Sequence, residues 1–310
     1  MKRDFLNIVR NKYFKTLNSF VKFFLEAFII NRKIRRNLKG EFCKWYLKKY
    51  INQVEKLYVP TFPKKHTRYR IWQYWDSGFD NAPDIVKACI SSVDKYKGDI
   101  ERVFLTKDNI KEYVDIPQFY YEMYDKGIIK PAHFSDILRT YLLVEHGGCW
   151  IDATVYLTAP LPDYIRASEL FVFQNDEEKD LDGLNMANYF ISSNGNSVIL
   201  QKMKKFLDIF WQENNFCINY FFYLHAFTMF SKSSEQNQLE WSEMLSLSYL
   251  SVQIMQNKLL NTYSANLYNE LKRISPIHKL TYKNRVLSKA KNIDFSNTLY
   301  EHILQEYELI

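Results

Sequence analysis

Residues 131–154, P-A-H-F-S-D-I-L-R-T-Y-L-L-V-E-H-G-G-C-W-I-D-A-T, constrain this chain more than any other stretch. Pro131 opens a helix whose buried side is Phe134, Ile137, Leu138, Tyr141, Leu142 and Val144, and Gly147-Gly148 ends it. Cys149 to Asp152 reads as a very short apolar strand, with Val155 to Leu157 extended beyond it. A helix running into a buried strand that closes on a carboxylate suits an open α/β sheet, whose ligands sit outside the carboxyl ends of the strands. Asp136 and Arg139 are three apart and share a helix face. Taken singly, that pair also reads as a surface salt bridge of little worth, and Asp152 alone is weak evidence.

The rest of the chain agrees with an α/β architecture. Tyr69 to Trp75 is a strand of bulky residues, Pro83 to Tyr96 a helix, Arg102 to Thr106 a strand and Asp108 to Val114 a short helix. Further strands are expected at Leu170 to Gln174 and Tyr189 to Ser192. Beyond Asn196 the pattern is mostly helical, broken by a loop around Ser275 to Lys283. Pro60 and Pro63, with Lys64, Lys65 and Thr67, read as a linker. We therefore expect a basic helical segment over 1–66 and one domain over 67–310.

Charge divides the chain at the same place. Residues 1–70 hold 19 Lys and Arg against 4 Asp and Glu, whereas the remaining 240 hold 23 against 31. The basic segment carries two amphipathic runs. One has Phe20, Val21, Phe23, Phe24, Phe28, Ile29 and Ile30, flanked by Lys15, Lys22, Arg32, Lys33, Arg35 and Arg36; the other has Phe42, Trp45, Tyr46, Tyr50, Ile51 and Val54 among lysines. Such helices can lie on an anionic membrane surface or pack on the main domain. No nucleic-acid module accompanies them, so nucleic acid is not an expected partner. No run of 18 apolar residues could span a bilayer, and no cleavage site follows an apolar core near the start. The four cysteines, at 43, 89, 149 and 217, show no metal or disulfide spacing and fit a reducing compartment. The expected location is the cytoplasm, peripheral on the inner face of the cell membrane.

Ser135-Asp136-Ile137-Leu138-Arg139, then Gly147-Gly148, then Ile151-Asp152-Ala153-Thr154, resembles the bacterial capsular polysaccharide synthesis glycosyltransferases. It is similar, more distantly, to the family 32 mannosyl- and galactosyltransferases and to the glucosyltransferase domains of large clostridial toxins. The resemblance runs through most of residues 68–285, including I-W-Q-Y-W at 71–75 and A-P-D-I-V at 82–86. It implies a GT-A fold, a Rossmann-like nucleotide-diphospho-sugar transferase domain, here with added N- and C-terminal helices. It also implies transfer of a hexose from UDP-Gal or UDP-Glc, with retention of configuration, to a polyprenyl-diphosphate-linked saccharide. Mn²⁺ or Mg²⁺ would neutralise the departing diphosphate.

By that resemblance Asp152 is a metal ligand, Asp136 and Arg139 grip the sugar, with Arg139 near the diphosphate, and Trp72 stacks on the base. Thr154 stands where the family often has a second Asp, so the ion would be held more weakly and lean on the phosphates. In Ser275-Pro276-Ile277-His278-Lys279-Leu280-Thr281-Tyr282-Lys283, the His and the lysines are similar to the end motif of retaining GT-A enzymes. His278 would then ligate the metal, and Lys283, or its rival Lys279, would contact phosphate. Asn188 is a candidate for sugar or acceptor, while His225 reads as a core histidine and His133 as a helix-end residue. With no glycine-rich phosphate loop in the sequence, metal and basic side chains must hold the phosphates. A degenerate transferase scaffold, or a protein that only binds membranes, is the alternative.

Overall fold

The computed structural model describes residues 2–61, 68–176, 180, 182–283 and 295–310. Two long helices come first, α1 (Lys2–Phe28) and α2 (Arg32–Leu57), the second capped by the Asn31 carboxamide. Then follow β1 (Arg70–Tyr74), α3 (Asp84–Tyr96), β2 (Glu101–Leu105), α4 (Gln118–Asp125), α5 (Pro131–His146), β3 (Gly148–Ile151), β4 (Val155–Leu157), α6 (Asp163–Ala167), β5 (Leu170–Gln174) and β6 (Met186–Ser193). The chain continues through α7 (Val198–Glu213), α8 (Phe222–Phe230), α9 (Glu235–Glu243), α10 (Tyr249–Lys258), α11 (Ala265–Ile274), β7 (Ile277–Lys279) and α12 (Leu299–Glu306).

Five strands form one sheet in the order β2-β1-β3-β6-β5. β1 runs parallel to β2 and β3, while β6 is antiparallel to both β3 and β5. This is the α/β class expected from the sequence, with helices flanking a parallel-containing sheet. The central strands are bulky and buried on both faces, as strands covered by helices must be. The glycine pair sets the spacing of β1 and β3. Gly147 caps α5 at φ 66°, and its N–H donates to the Leu143 carbonyl. At Gly148, with φ 97°, a Cβ would meet the Arg70 carbonyl oxygen at 2.3 Å, so no other residue lets β3 start this close to β1.

Differences from the sequence reading are local. Residues 108–114 form only a 3₁₀ turn, Ile110–Glu112, because the Asn109 carboxamide folds back on the Thr106 N–H and the Phe104 carbonyl. The short helices α4 and α6 were not anticipated; each starts directly after a proline, Pro117 or Pro162. Within the expected loop at 275–283, β7 pairs antiparallel with β4, setting Lys279 opposite Val155. Most of the expected linker lies outside the described residues.

The division at residue 66 cuts through one hydrophobic core. Cys43, Leu47, Tyr50 and Val54 of α2 are fully buried with Phe206 and Phe210 of α7 and Phe222 and Phe227 of α8. Four of the six residues in the second amphipathic run, Tyr46, Tyr50, Ile51 and Val54, therefore face protein rather than solvent. Among the described residues no helix is long and apolar enough to cross a membrane.

Candidate functional site

β3 ends at Ile151, and a tight turn follows. The Asp152 N–H donates to the Tyr189 carbonyl at 2.9 Å, and the Val155 N–H donates to the Asp152 carbonyl at 2.8 Å. That turn puts the Asp152 carboxylate at the carboxyl end of the sheet. Its Oδ1 accepts from the Trp150 indole at 2.8 Å and from Arg139 at 3.3 Å. Arg139 also donates to the Asn188 carbonyl at 2.7 Å and to Ser135 Oγ at 2.9 Å, and it lies 3.0 Å from Asp136 Oδ1. The same Asp136 oxygen accepts from the Asn188 carboxamide at 2.7 Å. The guanidinium sits 5.0 Å above the Trp150 ring.

Asp136 and Arg139 are only 4% and 3% exposed, so the surface ion-pair reading does not apply to them. One guanidinium binds α5, β6 and the end of β3 together, and its geometry leaves it few free donors. His133 completes the cluster, its Nδ1 lying 3.8 Å from Asp136 Oδ2. Burial disfavours a charged ring there, but Asp136 and Cys217 outweigh it and raise its pKa to about 10. His133 lies in the first turn of α5, a helix-end residue as expected, with its ring turned toward Asp136.

The cluster floors a cavity of about 490 Å³. Ser135, Asp136, Arg139, Asp152, Thr154, Asn188, Lys279 and Lys283 all line it, so most of the residues singled out from the sequence converge there. Lys279 enters from β7. Its ammonium donates to Thr154 Oγ1, lies 3.5 Å from Asp152 Oδ2 and is 5.4 Å from the centre of the Tyr189 ring. Burial, and then the charge of Asp152, push the Tyr189 phenol up.

Two expected site residues lie elsewhere. Trp72 is 1% exposed and donates its indole N–H to the Gly147 carbonyl at 2.8 Å, so it is a core residue that cannot stack on a base. Strand alternation turns His278 away from Lys279, into the interior, where its Nε2 lies 3.3 Å from Thr158 Oγ1. Burial lowers its pKa to about 4, and it does not line the cavity. His225 is a buried core histidine, with its pKa likewise lowered to about 4 by burial.

The aromatic wall was missed. Trp75 and Tyr282 meet edge to face, with ring centres 5.4 Å apart, and both line the cavity with Asp76 and Tyr220. The rule that picked Asp152, to look just past the carboxyl end of a strand, picks Trp75 and Asp76 after β1.

A resident Mn²⁺ or Mg²⁺ needs several oxygen ligands in a fixed array. The described residues contain no group of three or more His, Cys, Asp or Glu placed to hold an ion. What faces the cavity beside Asp152 is the Thr154 hydroxyl, and the Lys279 ammonium lies against both. These residues do not fit a resident divalent ion, which would have to displace a like-charged group.

Sequence and structure comparisons give related proteins. An O-glycosyltransferase, braB, from Annulohypoxylon truncatum is 29% identical over 103 residues, which cover 30% of this chain. The match spans only 24% of that relative's length. Among solved structures, the glycosyltransferase GlyE of Streptococcus pneumoniae TIGR4 is similar at 13% identity and a TM-score of 0.34, covering 78% of this chain and 64% of that one. The PaToxG glycosyltransferase is similar at 14% identity and a TM-score of 0.36, covering 78% of this chain and 95% of that one. The model of the family described as capsular polysaccharide synthesis protein matches residues 23–303, taking in α2 as well as the sheet. The chain belongs to the capsular polysaccharide synthesis protein family.

Proposed function

We propose that this protein is a GT-A glycosyltransferase that moves galactose or glucose from a UDP-sugar to a polyprenyl-diphosphate-linked saccharide. The observation that carries the reading is the buried Asp136–Arg139 pair, joined to the half-buried Asp152 and opening on one cavity, with two lysines at its side. Carboxylates and the Asn188 carboxamide suit sugar hydroxyls, lysines suit a diphosphate, and Trp75 with Tyr282 suits a flat base. Retention of configuration, and so an α-linkage, is what the capsular and family 32 transferases resembling residues 132–154 imply.

The lipid-linked acceptor is supported by α1. Phe20, Phe24 and Phe28 stand one turn apart with ring centres 6.4 and 4.8 Å apart, and Phe23 and Ile30 are exposed beside them. Lys22, Arg32, Lys33 and Arg35 flank that stripe. Each basic residue near an anionic bilayer contributes about 1 kcal/mol. This fits peripheral docking on the inner face of the cell membrane, where the acceptor's lipid would be anchored.

The test is a panel of nucleotide sugars incubated without acceptor, following release of the free nucleotide. Hydrolysis of a UDP-hexose in preference to GDP- and ADP-sugars is expected. No hydrolysis of any donor, together with no UDP binding, would leave the degenerate-scaffold reading instead.

A further inference from the structure

Arg139 cannot be the main counter-charge for a diphosphate. Both terminal nitrogens are already taken by Asp136, Ser135, the Asn188 carbonyl and Asp152, and only Nε, itself buried, is left without a partner. Among the described residues, the remaining cations in the cavity wall are Lys279 and Lys283. Lys283 lies past the end of β7 and is exposed, whereas Lys279 is fixed by the sheet. Its backbone sits opposite Val155, and the next N–H, that of Leu280, donates to the Thr154 carbonyl at 2.9 Å. Those two tethers hold the root of the side chain against the Asp152–Thr154 turn, and the ammonium rests between Asp152 Oδ2 and Thr154 Oγ1.

That point, between the strand-end carboxylate and the hydroxyl two residues on, is where an ion held by this turn would sit. We propose that Lys279 takes the place of the divalent cation, so that donor binding and cleavage in this protein need no metal. The inference rests on the transferase reading above. In the step, the bond from the anomeric carbon to the diphosphate oxygen breaks and its electron pair stays on that oxygen. The acceptor hydroxyl oxygen forms the new bond to the anomeric carbon and passes its proton to a diphosphate oxygen. Lys279 donates hydrogen bonds to the diphosphate as negative charge builds, leaving Asp152 to Arg139 and Trp150. Thr154 in place of a second carboxylate fits this arrangement, because a lysine needs one counter-charge where a divalent ion needs two.

UDP binding is measured by calorimetry on EDTA-treated full-length protein, with and without about 1 mM Mn²⁺, enough to occupy a weak divalent site. Release of UDP from the preferred UDP-hexose is followed in the same two buffers. Binding and release that agree within about twofold, with Lys279→Met binding UDP at least about tenfold more weakly and Lys279→Arg restoring most of it, is the expected result. UDP that binds only with Mn²⁺ overturns the inference and leaves the transferase reading intact. UDP that binds in neither buffer overturns both. Should Lys279→Met melt early, the wild-type comparison and Lys279→Arg still decide the matter.

Discussion

Replacing Arg139 with Met separates its structural and chemical roles. The guanidinium is buried and serves two carboxylates, so its removal strands charge in the interior; breaking such a pair from one side costs about 3–5 kcal/mol. The lower end applies, because partners remain. Asp136 keeps the Asn188 carboxamide and the His133 ring, and Asp152 keeps the Trp150 indole and Lys279. A loss of about 3 kcal/mol, at roughly 2 °C per kcal/mol for a chain of this length, lowers the melting temperature by about 6 °C. Pairing it with Asp136→Leu removes the stranded charge as well, and the double variant should regain at least half of the loss. Urea denaturation of the wild type, both single variants and the double gives the coupling energy directly. Donor hydrolysis should stay absent in all three variants, including the one whose stability returns. Additive stability losses, or a stable double variant that turns over donor, would refute the account of this cluster as a charge-balanced floor for substrate.

Asp152→Asn keeps the shape of the turn and removes one charge from the Arg139–Lys279 bridge; UDP release should fall at least about a hundredfold with little change in melting temperature. Activity close to wild type would place the chemistry elsewhere. Gly148→Ala should destabilise by about 2 kcal/mol or more, since its Cβ would overlap the Arg70 carbonyl at a positive φ, and a wild-type melt would contradict the close β1–β3 contact. Phe23→Glu with Phe28→Glu should abolish sedimentation with anionic vesicles while leaving hydrolysis of soluble donor unchanged; equal sedimentation of both proteins would remove α1 from membrane docking. His225 and His278 are held neutral by burial with pKa values of about 4, below that of an unfolded histidine, so the unfolded chain binds more protons on the acid side. Their contribution is present above about pH 6.5 and is lost as pH falls toward 4. His278→Gln should flatten that acid slope in pH-dependent urea denaturation, and an unchanged slope would mean that the ring is charged in the folded protein.

Motifs on regular elements were legible because their spacing fixes their direction. Asp136 and Arg139 on α5 and Asp152 after β3 converge because a helix, a glycine turn and a strand leave little freedom between them. Direction failed where an element was too short or too uniform to read. β7 has three residues, and without its pairing to β4 nothing says that His278 points inward and Lys279 outward. β1 is bulky throughout, so alternation could not tell the core residue Trp72 from the cavity residue Trp75. The face of α2 met a different ambiguity: an apolar stripe has the same period whether protein or lipid covers it. Only the contacts with α7 and α8 decide, and they come from far along the sequence.

That separation has a cost during synthesis. The apolar face of α2 leaves the ribosome well before its cover exists, since α7 begins about 140 residues later. At roughly 5–20 residues per second the wait is on the order of 10–30 seconds. For that time Cys43, Leu47, Tyr50 and Val54 form a bare stripe beside the exposed phenylalanines of α1. A nascent chain in this state needs a chaperone or a bilayer to occupy it. Fragments that stop short of Val198 should be recovered as aggregates or bound to membrane, whereas chains that extend past Phe230 can close the stripe themselves.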